Sequence, residues 1–247
     1  MGDGTLRGAR GGRTLMHMGG TIMERHVSVA IDGPAGAGKS TMARACAKRL
    51  GFLYVDTGAI YRTVGYYMRL MGISYKDADG VARLLGEVNV GIVHMDDGVQ
   101  HMFLNGMDVT DEIRTPEISA YASGVSAYPA VRSALLEMQR EFARTHSVVM
   151  DGRDIGTVVL PNADVKIFLT ASCEVRARRR LLELQQKGER VTYEQVLADM
   201  QARDRQDSGR KAAPLKQAED AVLLDTSDMT VEQALDAIEA IVRRKLG

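Results

Sequence analysis

Short apolar runs alternate along the chain with stretches of helical spacing. "HVSVAID" (26–32) is β-branched and bounded by Gly, and Met42, Ala43, Ala47 and Leu50 follow it at helical intervals. "FLYVD" (52–56) reads as a second strand ending in an acid, before a helix carrying Ile60, Val64, Tyr67 and Met71. Between 90 and 109 the period changes: "VGIVHM", "DDG", "VQHMFL", "NG" and "MDV" predict a small antiparallel meander with two tight turns. Helices are predicted over about 117–126 and, from Pro129, over about 129–144; "SVVM" (147–150) and "DVKIFLT" (164–170) are the third and fourth core strands. Two charged helices follow, 173–187 and 193–205, then a fifth strand, "AVLLDTS" (221–227). Thr230 and Gln233 form a capping-box pattern opening a last helix with Leu235, Ile238, Ile241 and Val242 on one face.

Strands alternating with helices predict an α/β domain with a mostly parallel five-stranded sheet covered on both faces. The meander and the charged helical pair do not fit that alternation and read as insertions. The first 26 residues are Gly-rich and punctuated by Arg7, Arg10 and Arg13 without apolar periodicity, which predicts a disordered extension rather than a secretory or transit segment. Lys plus Arg equals Asp plus Glu, 32 against 32, which argues against a nucleic-acid polymer or a membrane surface as the main partner. No apolar run is long enough to predict a membrane span. Cys46 and Cys173 lie far apart with no C-x-x-C, which predicts a reducing, cytoplasmic setting and no zinc site, and the chain is expected to act as a monomer.

"GPAGAGKS" (33–40) matches G-x-x-x-x-G-K-[ST] and stands between a predicted strand and a predicted helix, the context this phosphate loop requires. Gly33, Gly36 and Gly38 let the backbone curl its N–H groups toward phosphate oxygens, and the helix N-terminus adds about half a positive charge. Lys39 is expected to reach the β and γ phosphates and Ser40 to ligate Mg²⁺, so nucleoside triphosphate binding is the first expectation.

A GTPase would carry an Asn-Lys-x-Asp base reader, and none of Asn89, Asn105 or Asn162 precedes Lys. Asp151, at the end of the third core strand, is followed by Gly rather than by a water-activating Glu. Transfer to an acceptor is therefore favoured over hydrolysis, since phosphoryl transfer needs chiefly positioning, Mg²⁺ and cations. Arg62, Arg114, Arg132, Arg153, Arg203 and Arg210 lie in or beside segments able to face the strand ends, where guanidinium groups would neutralise two phosphorylated substrates. A nucleotide-binding switch that transfers nothing is the alternative from another class.

With "GPAGAGKST" (33–41), "DTGAIYR" (56–62), "EIRTPEIS" (112–119), "DGRDIGTVVLPNADVKIFL" (151–169) and "RDRQDSGRKAAPL" (203–215), the chain from about residue 27 onward closely resembles the bacterial cytidylate kinases. The resemblance implies a P-loop nucleoside monophosphate (NMP) kinase fold over 27–247, with an NMP-binding insertion at about 59–127 and a helical lid at about 179–212. It implies Mg²⁺-assisted transfer from ATP to CMP or dCMP. ATP would be held by Gly33, Pro34, Ala35, Gly36, Ala37, Gly38, Lys39, Ser40 and Thr41, with Arg179 and Arg180 reaching its phosphates from the lid. Arg62, Arg153 and Arg210 would hold the CMP phosphate; Ser123, Arg132 and Asp154 would read the cytosine edge; Arg203 and Asp207 would hold the ribose hydroxyls. Thr57 stands beside the sugar where Ser is frequent, and Arg114 lies in the "EIRT" motif without an assigned role. Lys39, Asp151 and Arg153 are the expected catalytic set. For Asp151, a place in the Mg²⁺ shell beside Ser40 and a hydrogen bond to the phosphate loop both stand as readings.

Overall fold

The protein is described from a computed structural model covering residues 25–95, 99–186 and 188–247. The expected disordered extension therefore lies outside the described residues up to residue 24; Arg25 is described and pairs with Asp164 at 2.5 Å.

The chain begins with strand β1 (Ser28–Asp32), the phosphate loop and helix α1 (Lys39–Leu50), then β2 (Leu53–Asp56) and α2 (Thr57–Leu70). Helix α2 stops one residue short of Met71, which caps it and is half exposed rather than on the buried face the spacing predicts. A short helix with no strong periodicity, α3 (Ala78–Leu84), is capped by the Asp77 carboxylate accepting from Gly80 N at 2.9 Å.

The meander is present as β3 (Val90–His94), β4 (Gln100–Leu104) and β5 (Met107–Asp108), an antiparallel three-stranded sheet in that order. Asn105 and Gly106 both have positive φ, 50° and 86°, which is the two-residue hairpin turn that "NG" predicts. The "DDG" turn lies outside the described residues. Helices α4 (Pro116–Val125) and α5 (Pro129–Thr145) each begin with Pro in the first turn, where its missing N–H costs nothing.

Next come β6 (Val148–Gly152), β7 (Val165–Thr170), α6 (Cys173–Gln186), α7 (Tyr193–Ser208), β8 (Val222–Asp225) and α8 (Val231–Leu246). Thr230 and Gln233 close both halves of the predicted capping box on α8. Strands β1, β2, β6, β7 and β8 form one parallel sheet in the order β2-β6-β1-β7-β8. Ile31, Cys46, Ile167 and Ile238 join one face of that sheet to α1 and α8, while Val55, Met150 and Ile155 pack the other against α5. Burying each aliphatic side chain of this size contributes roughly 1.5–3 kcal/mol.

A second core, including Ile60, Met68, Met102 and Ile113, joins α2, the small sheet, α4 and α5, and the α6–α7 pair has a small one around Ala177, Leu184, Val196 and Met200. The small antiparallel sheet also meets the main sheet. Strand β2 is an edge strand, and the paired residues His94 and Gln100 close its free side: His94 Nε2 donates to the Tyr54 carbonyl at 2.7 Å, and the Gln100 amide accepts from Asp56 N at 2.8 Å and donates to Asp56 O at 3.2 Å.

Candidate active site

Strands β1, β2 and β6 end in register, and Asp56, Asp151 and Gly152, at the ends of β2 and β6, open onto a cleft of about 660 Å³. Ligands of open parallel sheets collect at such carboxyl ends.

The phosphate loop forms one wall. Gly36 and Gly38 hold φ of 73° and 85°, and Gly33 leaves room for the Leu169 carbonyl, which would lie 1.9 Å from a Cβ at that position. Helix α1 starts at Lys39 with no side-chain cap, so its first N–H groups face the loop unpaired by any cap. Lys39 is buried and donates from Nζ to the Pro34 carbonyl at 2.8 Å. Burial, reinforced by Arg153, pulls its ammonium below the usual lysine range. Ser40 Oγ donates to Asp151 Oδ2 at 2.9 Å and Tyr54 OH donates to Oδ1 at 2.9 Å. The hydrogen bond from the phosphate loop to Asp151, one of the two readings of that acid, is thus present. Burial and the neighbouring Asp56, its register partner on β2, raise the Asp151 carboxyl above the ordinary range.

The opposite wall comes from α2, α4, α5, the β6 end and α7. Asp56 caps α2 by accepting from Ala59 N at 2.9 Å and holds Arg62 at 2.8 Å. Thr57 does not offer a free hydroxyl: its Oγ1 donates to the Asp151 carbonyl at 2.7 Å. Strand β6 runs on through Asp151 and Gly152, two residues beyond the apolar run that predicts it, because it pairs with β1 to the end. Arg153 Nε then donates to Asp207 Oδ2 at 2.8 Å, and Arg210 donates to the other oxygen. Burial would raise the Asp207 carboxyl, but Arg153 and Arg210 outweigh it and hold the group below the usual carboxylate range. Arg203 is pulled down to about 10 by burial, with Arg153 acting in the same direction. Arg132 pairs with Asp154 while lying over the Tyr61 ring, 5.5 Å from its centroid. Asp154 sits above its ordinary pKa because burial outweighs that pairing.

Directly after Asp154 the chain makes a single π turn, Ile155–Val159, that no sequence pattern announces. Asp32, at the end of β1, accepts from the first two N–H groups of that turn, Ile155 N at 2.8 Å and Gly156 N at 2.7 Å.

Ala35, Gly36, Ala37, Gly38, Lys39, Ser40, Thr41, Thr57, Arg62, Ser123, Arg132, Asp151, Arg153, Asp154, Arg179, Arg203, Asp207 and Arg210 all line the cleft. Gly33 and Pro34 support the loop from behind, Arg180 pairs with Glu183 at 3.0 Å, and Arg114 is exposed on a separate turn. Arg179 reaches the cleft wall while donating to the Thr226 carbonyl at 2.7 Å. Sequence reasoning missed Asp32, Asp56, Tyr61 and Arg176; the acid ending "FLYVD" was the available signal for Asp56.

Seven cationic side chains (Lys39, Arg62, Arg132, Arg153, Arg179, Arg203, Arg210) face five carboxylates (Asp56, Asp151, Asp154, Glu183, Asp207) among the described lining residues, an excess suited to polyanions. Three buried polar atoms here have no partner among the described residues: Arg62 Nε, Ser123 Oγ and Arg210 Nε.

The model of the cytidylate kinase family matches residues 29–244. The chain belongs to the cytidylate kinase family. It is 47% identical over 224 residues to the cytidylate kinase of Desulfitobacterium hafniense (strain Y51), covering 91% of this chain and 96% of that one. Against the cytidylate kinase of Carboxydothermus hydrogenoformans identity is 50% over 217 residues, 88% and 97% of the two chains. Against that of Caldicellulosiruptor bescii it is 48% over 214 residues, 87% and 94%. The span that the family model matches takes in both walls of the cleft of this cytidylate kinase family member. Among the described residues, no helix is long and apolar enough to cross a membrane.

Proposed function

We propose that this chain phosphorylates CMP and dCMP from ATP, giving CDP and dCDP, within pyrimidine nucleotide metabolism. The observation that carries this reading is the set of orphaned polar atoms opposite the phosphate loop. Buried polar groups are almost always satisfied, so Arg62 Nε, Arg210 Nε and Ser123 Oγ mark positions where a substrate supplies the partner. Two are guanidinium donors suited to a phosphate; the third is a hydroxyl near the Arg132–Asp154 pair.

On this reading the phosphate loop takes the ATP triphosphate, with Lys39 leaving the Pro34 carbonyl for phosphate oxygens. Arg62, Arg153 and Arg210 hold the acceptor phosphate, while Arg203 and Asp207 hold the sugar. Asp154 accepts from the exocyclic amine that cytosine has and uracil lacks, and Arg132 and Ser123 face the remaining acceptors of the base edge. Leaving Asp154 unpaired against UMP would be costly, which is the source of selectivity. Helices α6 and α7 act as the lid, excluding water from the transfer.

The donor set fits Mg²⁺: Ser40 Oγ and the Asp151 carboxylate are hard oxygen ligands beside an uncapped helix N-terminus, and Mg²⁺ is commonly held by one or two such groups together with substrate phosphates. The ion would neutralise charge on the β and γ phosphates. The proposal includes a monomer in a reducing cytoplasm, the latter in keeping with two free cysteines, Cys46 and Cys173, that form no C-x-x-C.

Coupled ADP release, measured against CMP, dCMP, UMP, AMP and GMP with Mg²⁺, tests the proposal. CMP and dCMP should be the best acceptors. ADP formation that does not depend on CMP, or that is strongest with another acceptor, would overturn it.

A further inference from the structure

Arg176, on α6, is buried outside the substrate contacts described above yet touches the supports of both nucleotide chambers. Its Nε donates to the Ala171 carbonyl at 2.9 Å and its Nη1 to the Ala35 carbonyl of the phosphate loop at 3.0 Å. The same guanidinium grips Asp204 on α7 with both ends, at 3.1 and 2.6 Å. Asp204 stands between Arg203 and Asp207, which line the acceptor chamber. Met200, one turn before Asp204 on the same helix, presses on the loop from above: a Cβ at Gly36 would lie 2.6 Å from its Cε. Helix α7 therefore has one row of side chains in the acceptor chamber and the neighbouring row on the phosphate loop.

We propose that Arg176 and Asp204 are positioning residues that couple the acceptor and donor sites, so that a monophosphate held by α7 sets the shape of the loop that receives the triphosphate. A trans peptide points its C=O and N–H in opposite directions, so holding the Ala35 carbonyl on Arg176 also fixes the direction of the Gly36 N–H. A pull on α7 through Arg203 or Asp207 moves Asp204, and through the bidentate pair it moves the guanidinium that holds this peptide. The coupling is reciprocal by thermodynamic necessity. The inference rests on the reading that the loop takes ATP and α7 faces CMP.

The test is calorimetric titration of the full chain with a non-hydrolysable ATP analogue and Mg²⁺, with and without saturating CMP, and the converse titration of CMP. In the unmodified protein each nucleotide should tighten the other by one common factor, on the order of 5–150-fold. In Asp204→Asn that factor should fall close to one, with much less change in the affinity of either nucleotide alone; Asp204→Glu, which keeps the carboxylate, should recover part of it. Should Asp204→Asn melt below the assay temperature, Met200→Ala is expected to lower the factor in the same direction. If Asp204→Asn weakens the analogue equally with and without CMP, leaving the factor intact, the pair is merely structural and the inference fails. It fails too if the unmodified protein binds both nucleotides independently. An unmodified protein that binds no CMP would instead overturn the functional reading on which the inference stands.

Discussion

Arg153, at the end of β6, and Asp207, two turns into the second half of α7, form an ion pair at 2.8 Å in which the acid is almost fully buried. The pair fixes the direction of the guanidinium, so that Arg153 meets an incoming phosphate already oriented. Arg153→Ala is expected to lower kcat/KM by roughly a hundredfold, since hydrogen bonds to charged groups are worth about 1.5–3 kcal/mol and each 1.36 kcal/mol is a factor of ten. Steady-state kinetics with CMP, dCMP and UMP should show the same loss for all three. A defect confined to CMP would contradict a phosphate role.

Asp154→Asn probes the base instead. It keeps the shape of the acid but removes the charge that Arg132 and the cytosine amine are expected to share. The expected result is a loss of about tenfold or more in kcat/KM for CMP, with UMP changed much less, so the preference between them narrows. Unchanged CMP kinetics would remove Asp154 from the site.

A pH dependence follows from Asp32. Burial pushes its carboxyl up to about 6, against 3.8 for an ordinary aspartate, although Ile155 and Gly156 donate to it. Between these values the folded protein holds a proton that the unfolded chain has released. Asp32 therefore contributes most to stability below about 3.8, and the contribution is lost as pH rises through 6. The difference in melting temperature between the unmodified protein and Asp32→Asn should shift against the unmodified protein from pH 4 to 6.5 and then level off. A flat difference across that window would show that the carboxyl titrates normally.

Gln100 tests the junction between the two sheets. Gln100→Leu leaves the Asp56 N–H and carbonyl without their partners at a buried edge, at a cost of about 1–3 kcal/mol for each buried unsatisfied group. Because Asp56 also holds Arg62, the KM for CMP should rise more than that for ATP. Denaturant melts and the two KM values check this together, and equal changes in both KM values would mean that the junction is only a brace.

Gly33→Ala separates fold from chemistry in the phosphate loop. The added methyl would meet the Leu169 carbonyl at 1.9 Å, a clash with backbone that no side-chain rotation relieves. A loss of about 3 kcal/mol or more is expected, in the range reserved for strain and overpacking. A thermal melt should register the defect without any nucleotide present.

The strands, most helices and the phosphate loop were legible because periodicity, capping residues and Gly spacing are local signals. That Asp151 and Asp154 lie where the strand end meets the cleft was partly legible, since acids closing an apolar run are unusual. The partners of Asp32 and Asp56 were not, because the fold alone supplies them: Ile155 and Gly156 for one, Gln100 and Arg62 for the other. Arg176 was hidden among the arginines of α6, whose periodicity looks like a solvated face. The half-exposed Met71 shows the opposite error, in which an apolar residue at the right interval falls past the point where its helix stops. Side chains that act on backbone groups across 40 or more residues leave no trace in a local window.

The closure of β2 by His94 and Gln100 has a meaning beyond the chamber it supports. An edge strand with free N–H and C=O groups is a template on which another chain can add, the first step toward aggregated sheets. Here two side chains occupy the bonds that an intruding strand would make at Tyr54 and Asp56. The small antiparallel sheet thus leaves a neighbouring chain fewer backbone groups to pair with at this edge of the core.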